Sequence, residues 1–307
     1  MGLLLTIAVI AVAGAGGVAA ELRWPDRAGS LARSLLVVSL YTLVPFVVFF
    51  NLARVEVTTD VGIGLALGWV AILTTGGLAW LISRRLLGLG AAATGAVIVC
   101  TLVPNSGYLG YPLTASLLGF DALGEAVVYD IAVPAPSLLL LAFAVGAGLG
   151  TRAGETVGER VIAFFTRNPP LYAAIAALLV PDALAPDTLV DLSRAAVFAL
   201  LPIGFFAVGA VLAEEAEEGR LTIGSPISPP VATATALRLV VAPGLLYLLA
   251  LPLIDLPGPY LLLAAMPVGI NTLLVAHVYG LDIRLTAQAI AWSTALAIAV
   301  ALGSLAI

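Results

Sequence analysis

Apolar runs of about 20 residues recur along the whole chain, separated by short clusters of charge, Pro and Gly. Such a run crosses a bilayer as one helix, because every backbone group must be paired within lipid. The pattern predicts ten spans, at roughly 2–20, 30–53, 61–83, 91–118, 122–148, 169–182, 190–213, 229–253, 257–280 and 285–306. The run after Thr166 is the weakest, being short and ended by Pro181 and Asp182. No basic residue precedes the first apolar run, and further runs follow, so it reads as a first span rather than a signal peptide. Composition agrees: 62% of residues are hydrophobic, 10% are charged, and the mean hydropathy is +1.14. A soluble domain of this length has no use for so much apolar surface. The expected fold class is an all-α integral membrane protein.

Charge then orients the spans. All 13 basic residues are Arg. Arg23, Arg27, Arg33, Arg84, Arg85, Arg152, Arg160, Arg167, Arg220 and Arg284 follow spans 1, 3, 5, 7 and 9. Only Arg54 and Arg194 lie in the opposite loops, and Arg238 is inside span 8. The positive-inside rule places the Arg-rich loops in the cytoplasm and both termini outside, in the cell membrane. Glu214, Glu215, Glu217 and Glu218 read as one solvated, repelling cytoplasmic loop. The absence of Lys beside Ala-, Val- and Gly-rich spans fits a GC-rich genome, such as that of a salt-loving organism. Cys100 is alone, which excludes a disulfide framework and a thiol metal site.

Two spans are interrupted in the middle by the same chemistry. One reads Pro104-Asn105-Ser106-Gly107-Tyr108-Leu-Gly110-Tyr-Pro112, the other Pro267-Val-Gly269-Ile-Asn271-Thr272. Pro removes a backbone donor and Gly loosens the helix. Non-helical backbone at membrane depth is tolerated only inside protein or against a water-filled cavity. A matched pair of interrupted spans, one per half, points to a secondary transporter's binding site. The polar stretch 149–168 divides the chain into residues 1–148 and 169–307, with five spans each. Span 2 (Pro45, then Phe49-Phe50) resembles span 7 (Pro202, then Phe205-Phe206), and span 4 resembles span 9. An odd number of spans per repeat forces opposite orientations. The expectation is two five-helix inverted repeats joined by a cytoplasmic linker, with the two broken helices crossing.

The two interruptions also carry a family resemblance. The stretch Pro104–Leu113 resembles the asparagine-threonine-glycine, leucine-glycine, proline-leucine signature of the auxin efflux carrier family. Pro267 followed by Asn271 resembles its second signature, and Pro202 its seventh span. Ser106 stands where many members have Thr. The resemblance implies a fold similar to that of the bile acid:sodium symporters. That fold has ten spans, a scaffold part, and a transport part where two broken helices cross. It also implies organic anions, such as auxins or dicarboxylates, as cargo.

The candidate substrate-binding residues are Pro104, Asn105, Ser106, Gly107, Tyr108, Pro267, Gly269, Asn271 and Thr272. Half-helix N-termini expose unpaired N–H groups that attract a carboxylate. Asn105 and Asn271 either donate to that anion or simply cap their half-helices. Ser106 and Thr272 add hydroxyl donors or bond back to their own helix. Asp130 sits roughly 12 Å into span 5 at 1.5 Å per residue, as a proton carrier or a static partner. Arg238 in span 8 snorkels, pairs with Asp130, or attracts the anion. Asn51 and His277 are weaker candidates, and no second metal ligand accompanies His277.

The reading that follows is a secondary transporter moving a small mono- or dicarboxylate by alternating access. It is embedded in a lipid bilayer, with a proton or sodium as coupling ion, and a homodimer is one assembly open to it. The alternatives are a cation/proton antiporter of related fold and a non-transporting membrane sensor. The chain lacks a GxxxxGK[ST] loop for ATP and a GxSxG context for hydrolysis, so no catalytic residue, cofactor, metal or nucleic acid is expected.

Overall fold

The computed structural model describes residues 2–55, 59–152, 157–166, 168–180, 184–218 and 227–303. Among these, every regular element is helical apart from one isolated antiparallel bridge. Among the described residues, seven helices are long and apolar enough to cross a membrane. They are α1 (Leu4–Arg23), α2 (Arg27–Leu52), α3 (Thr59–Leu86), α6 (Phe120–Leu149), α9 (Asp187–Glu217), α10 (Pro229–Ala250) and α13 (Ile283–Ala301). The expected spans 4 and 9 are each two pieces. The first is α4 (Ala91–Leu102) followed by α5 (Tyr111–Leu117); the second is α11 (Gly258–Ala264) followed by α12 (Asn271–Tyr279). The expected span 6 is the 11-residue α8 (Pro169–Leu179). Seven long helices against ten expected spans therefore reflects two interruptions and one short helix.

Three sequence expectations need correction. The stretch 149–168 is not all loop, because α7 (Val157–Thr166) forms within it. The acidic cluster is not a solvated loop: α9 runs on to Glu217, and Glu215 is fully buried. Pro45 and Pro202 occupy unlike backbones. Pro45 follows a π-helical turn at Ser39–Leu43, whereas Pro202 lies inside the continuous α9. Arg167, Arg220, Pro181 and Asp182 lie outside the described residues.

Three of the five π turns among the described residues have a shared cause. These three occupy Ser39–Leu43, Ser106–Gly110 and Leu237–Val241, and Pro45, Pro112 and Pro243 each stand two residues beyond one. A proline ring strikes the carbonyl four residues back. Those carbonyls belong to Tyr41, Tyr108 and Leu239, at the centre of each widened turn. The extra residue relieves the clash without ending the helix.

The two interruptions pair with each other. Pro104 and Val268 form the antiparallel bridge. The Asn105 N–H donates to the Pro267 carbonyl at 2.8 Å, and the Gly269 N–H to the Val103 carbonyl at 2.9 Å. A Cβ at Gly269 would lie 2.8 Å from the Pro104 oxygen, so the strands meet this closely only because residue 269 is Gly. Side chains serve the groups left over. Ser137 donates to the Leu102 carbonyl at 3.2 Å, and Ser293 accepts from the Val268 N–H at 3.1 Å. Arg238, only 1% exposed, donates to the Thr101 carbonyl at 2.9 Å and to the Ala264 carbonyl. It thus holds the C-terminal ends of α4 and α11 together. Each such end carries about half a negative charge, so the two supply roughly one counter-charge to the guanidinium.

Helix packing separates two groups. α1 lies on α9, α8 on α2, and α2 on α9. A Cβ at Gly209 of α9 would lie 2.1 Å from the Gly14 oxygen of α1, which marks backbone-to-backbone contact. The second group gathers α3, α4, α6, α10 to α13 around the crossing. Contacts at the helix ends sort the connections into two faces. Arg54 pairs with Asp187 at 2.7 Å and Arg194 with Asp121 at 2.8 Å on one face. On the other, Arg152 donates to the Tyr279 and His277 carbonyls through its N–H and guanidinium, and the Asp282 N–H reaches the Ala92 carbonyl.

Replacing Arg238 by Met leaves two buried helix-end carbonyls without donors, at about 1–3 kcal/mol each. The expected result is a clearly lower unfolding temperature in detergent, with Arg238→Lys falling between Met and the native residue. An Arg238→Met protein as heat-stable as the parent would show that the guanidinium does not hold the crossing.

Candidate functional site

The crossing forms one wall of a cavity of about 290 Å³. Its apolar lining comes from Leu40 and Val44 of α2, Ile131, Leu138, Leu139 and Phe143 of α6, and Leu274 of α12. Its polar lining is Asn105, Ser106, Asp130, Asn168 and Asn271. Helix starts explain this placement. The chain turns back into helix after each break, so Asn105 and Asn271 stand where new helices begin. There the first N–H groups have no acceptor within their own helix.

Asn105 is 5% exposed, yet its side chain caps nothing. Among the described residues, neither its amide nor that of Asn271 forms a side-chain hydrogen bond. Both amides border the same cavity. Asp130 is held differently. Its Oδ1 accepts from the Ser106 hydroxyl and its Oδ2 from the Tyr111 hydroxyl at 2.7 Å. The carboxylate therefore lies against the start of the helix that follows the first break. Such a start favours a negative charge.

Other sequence candidates sit elsewhere. Pro104, Gly107, Tyr108 and Gly269 line the cavity, and Tyr108 also packs on Gly204 of α9. Pro267 lies behind the break and contributes its carbonyl to the crossing. Thr272 is fully buried and turned back, donating to the Gly269 carbonyl at 2.8 Å, so its hydroxyl does not reach the cavity. Arg238 neither snorkels nor meets Asp130; its donors go to the helix-end carbonyls of Thr101 and Ala264, while Asp130 is held by Ser106 and Tyr111. Asn51 joins α2 to α9, donating to the Val47 carbonyl and to Ser193 at 3.1 Å. His277 Nε2 lies 3.3 Å from Glu215 Oε1, linking α12 to α9.

Three contributors escaped the sequence reading. Ser137 follows Pro134-Ala-Pro136 and Ser293 stands beside Thr294, and no local pattern separates either hydroxyl from one that bonds back to its own helix. Asn168 left a readable signal, Asn-Pro-Pro, which is a helix start. Its Oδ1 accepts from the Leu171 N–H at 3.3 Å, capping α8 at the cavity edge.

Comparison with known proteins finds similarity to membrane transporters. Residues 156–303 match the family described as membrane transport protein. An uncharacterized transporter of Methanocaldococcus jannaschii is 23% identical over 271 residues, covering 84% of this chain and 84% of the relative. An uncharacterized transporter of Methanothermobacter thermautotrophicus is 27% identical over 281 residues, covering 87% and 86%. With two interrupted helices pairing beside a polar-headed cavity inside an apolar helical body, the chain is a multi-pass membrane transporter, and its second half is similar to the family described as membrane transport protein.

Proposed function

We propose that this transporter moves a small organic anion with one carboxylate and an apolar body, by alternating access, with the anion bound at Asn105 and Asn271. The observation that carries the reading is the pair of asparagine amides, both without protein partners among the described residues, at two helix starts on one cavity. Neutral amide donors and helix starts bind a carboxylate without burying a counter-cation. A cavity lined largely by Leu, Val, Ile and Phe suits an apolar remainder.

Asp130 bears on the charge of the cargo. Its carboxylate already occupies the start of the helix after the first break. A bound monocarboxylate meets one negative charge nearby; a dicarboxylate adds a second and is disfavoured by Coulomb repulsion. The anion and the charged form of Asp130 also compete for the helix start that follows the first break. Neutralising Asp130 as the anion enters removes that conflict, which makes a proton the coupling ion.

Several features support ten crossings arranged as inverted repeats. α1 packs on α9 as α8 packs on α2, and α4 meets α13 as α11 meets α6. The last long helix of each half gives one buried serine, Ser137 or Ser293, to the break in its own half. The two faces defined by helix-end contacts agree with loops that alternate sides. The positive-inside rule then sets both termini outside and the cavity on the cytoplasmic side of the crossing.

Asn105→Ala and Asn271→Ala are each expected to weaken anion binding about 10- to 150-fold, from about 1.5–3 kcal/mol per charge-assisted hydrogen bond, with little loss of stability. Thermal-shift titration with mono- and dicarboxylates, with and without sodium, reads the affinity; unchanged binding in both variants leaves the amides with no role in recognition.

In the native protein, anion binding should strengthen as pH falls, because the competing carboxylate is neutralised. Asp130→Asn mimics that neutral form and should bind with one affinity at all pH values, keeping counterflow but losing dependence on a pH gradient. Gradient-driven uptake that persists in Asp130→Asn vesicles would rule out the proton-carrier role.

Orientation is checked by single cysteines in a Cys100→Ala background. An impermeant reagent added outside should miss residue 152 and label residue 187. The reverse pattern inverts the proposed topology.

A further inference from the structure

We propose that a second cavity, remote from the crossing, binds a phosphate group. This cavity has a volume of about 430 Å³. It is bordered by Ala93, Ser228, Asp282, Arg284 and Gln288, among others. Three helices begin along its wall: α4 at Ala91, α10 at Pro229 and α13 at Ile283. α13 is already served, since Asp282 Oδ1 accepts from the Leu285 N–H at 2.9 Å. α10 begins with two prolines and so offers few donors. α4 is different. Its first N–H used by the backbone is that of Thr94, to the Gly90 carbonyl, and no side chain caps it. The amides of Ala91, Ala92 and Ala93 precede that bond and have no acceptor in their own helix.

Helix starts alone do not make a site, and Gln288 supplies the independent observation. It is only 9% exposed and lines this cavity. Its amide forms no hydrogen bond among the described residues. The side chain is otherwise enclosed and borders this cavity, so its unpartnered amide is available to a ligand there. One cation, Arg284, borders the cavity with it, and a second, Arg84, bonds to the lining residue Leu89. Arg284 forms no ion pair among the described residues. Arg84 is tethered at the rim through a 3.0 Å bond to the Leu89 carbonyl. The one carboxylate bordering the cavity, Asp282, is engaged by its helix.

Free N–H groups, an amide and guanidinium groups together fit an oxyanion with several acceptor oxygens. A phosphate group meets that description, either on an anionic phospholipid headgroup or as free phosphate. Basic pockets between spanning helices bind such headgroups.

The test uses the full-length protein in neutral detergent. Thermal unfolding is followed with added phosphatidylglycerol, with phosphatidylcholine as the zwitterionic control, and separately with inorganic phosphate against chloride at equal ionic strength. A rise with phosphatidylglycerol alone assigns the site to a headgroup, and a rise with both probes extends it to free phosphate. Arg284→Gln, a surface change, should weaken the effect about tenfold or more. Gln288→Leu should leave the unfolding temperature of the unliganded protein close to that of the parent, while abolishing most of the ligand-induced rise. No rise with either probe, or a rise undiminished in both variants, overturns the proposal.

Discussion

A helix cannot be broken at the centre of a bilayer unless something else takes its backbone hydrogen bonds, and here each break is satisfied largely by the other. The Asn105 N–H and the Val103 carbonyl are paired with residues 267 and 269 of the opposite break. The remaining carbonyls at the two helix ends go to Ser137 and Arg238. This mutual dependence fixes much else. It requires Gly at 269, small polar groups on the flanking helices, and one fully buried cation. It also separates charge across the crossing: helix C-termini converge on Arg238, and helix N-termini face the cavity with Asp130. The same backbone event thus creates the structural centre and the polar head of the site.

Around that centre, the packing divides labour. The close contact of α1 and α9 at Gly14 and Gly209 leaves no side chain between the backbones. Such an interface resists sliding. Between this group and the one holding the crossing, contacts are made by side chains: Tyr108 on Gly204, His277 with Glu215, Thr6 with Ser116, and an apolar cluster of Ile10, Leu109, Leu113, Leu201, Phe205 and Met266.

The breaks themselves were legible in the sequence, because an uninterrupted helix cannot carry Pro, Asn and Gly together at the middle of an apolar run. Asp130 was legible for a similar reason, as an ionisable group deep in a span. Their partners were not. Ser106 and Tyr111 reach Asp130 only because the chain folds back at the break, a geometry no local pattern encodes. Arg238 misled for a deeper reason: a sequence displays carboxylates as letters but never displays an unpaired carbonyl. Asp130 was therefore the only visible counter-charge, and the fold supplied two helix ends instead. Glu215 was hidden by its acidic neighbours, since only the burial of α9's last turn distinguishes it from them. The count of long helices fell short of the expected spans because hydropathy measures apolar length and is indifferent to a bend.

The π turns before Pro45, Pro112 and Pro243 have a further consequence. Each inserts one residue into its helix, so everything beyond it is rotated by about 100° relative to an uninterrupted helical wheel. In α2 the face presented before Tyr41 is therefore not the face presented after it, and the same holds for α10 across Leu239. A single stripe of contacts cannot run the length of either helix. Each half of the helix addresses a different neighbour, and a substitution near the proline that restored an ordinary turn would switch those neighbours all at once, as one tooth slipping on a gear.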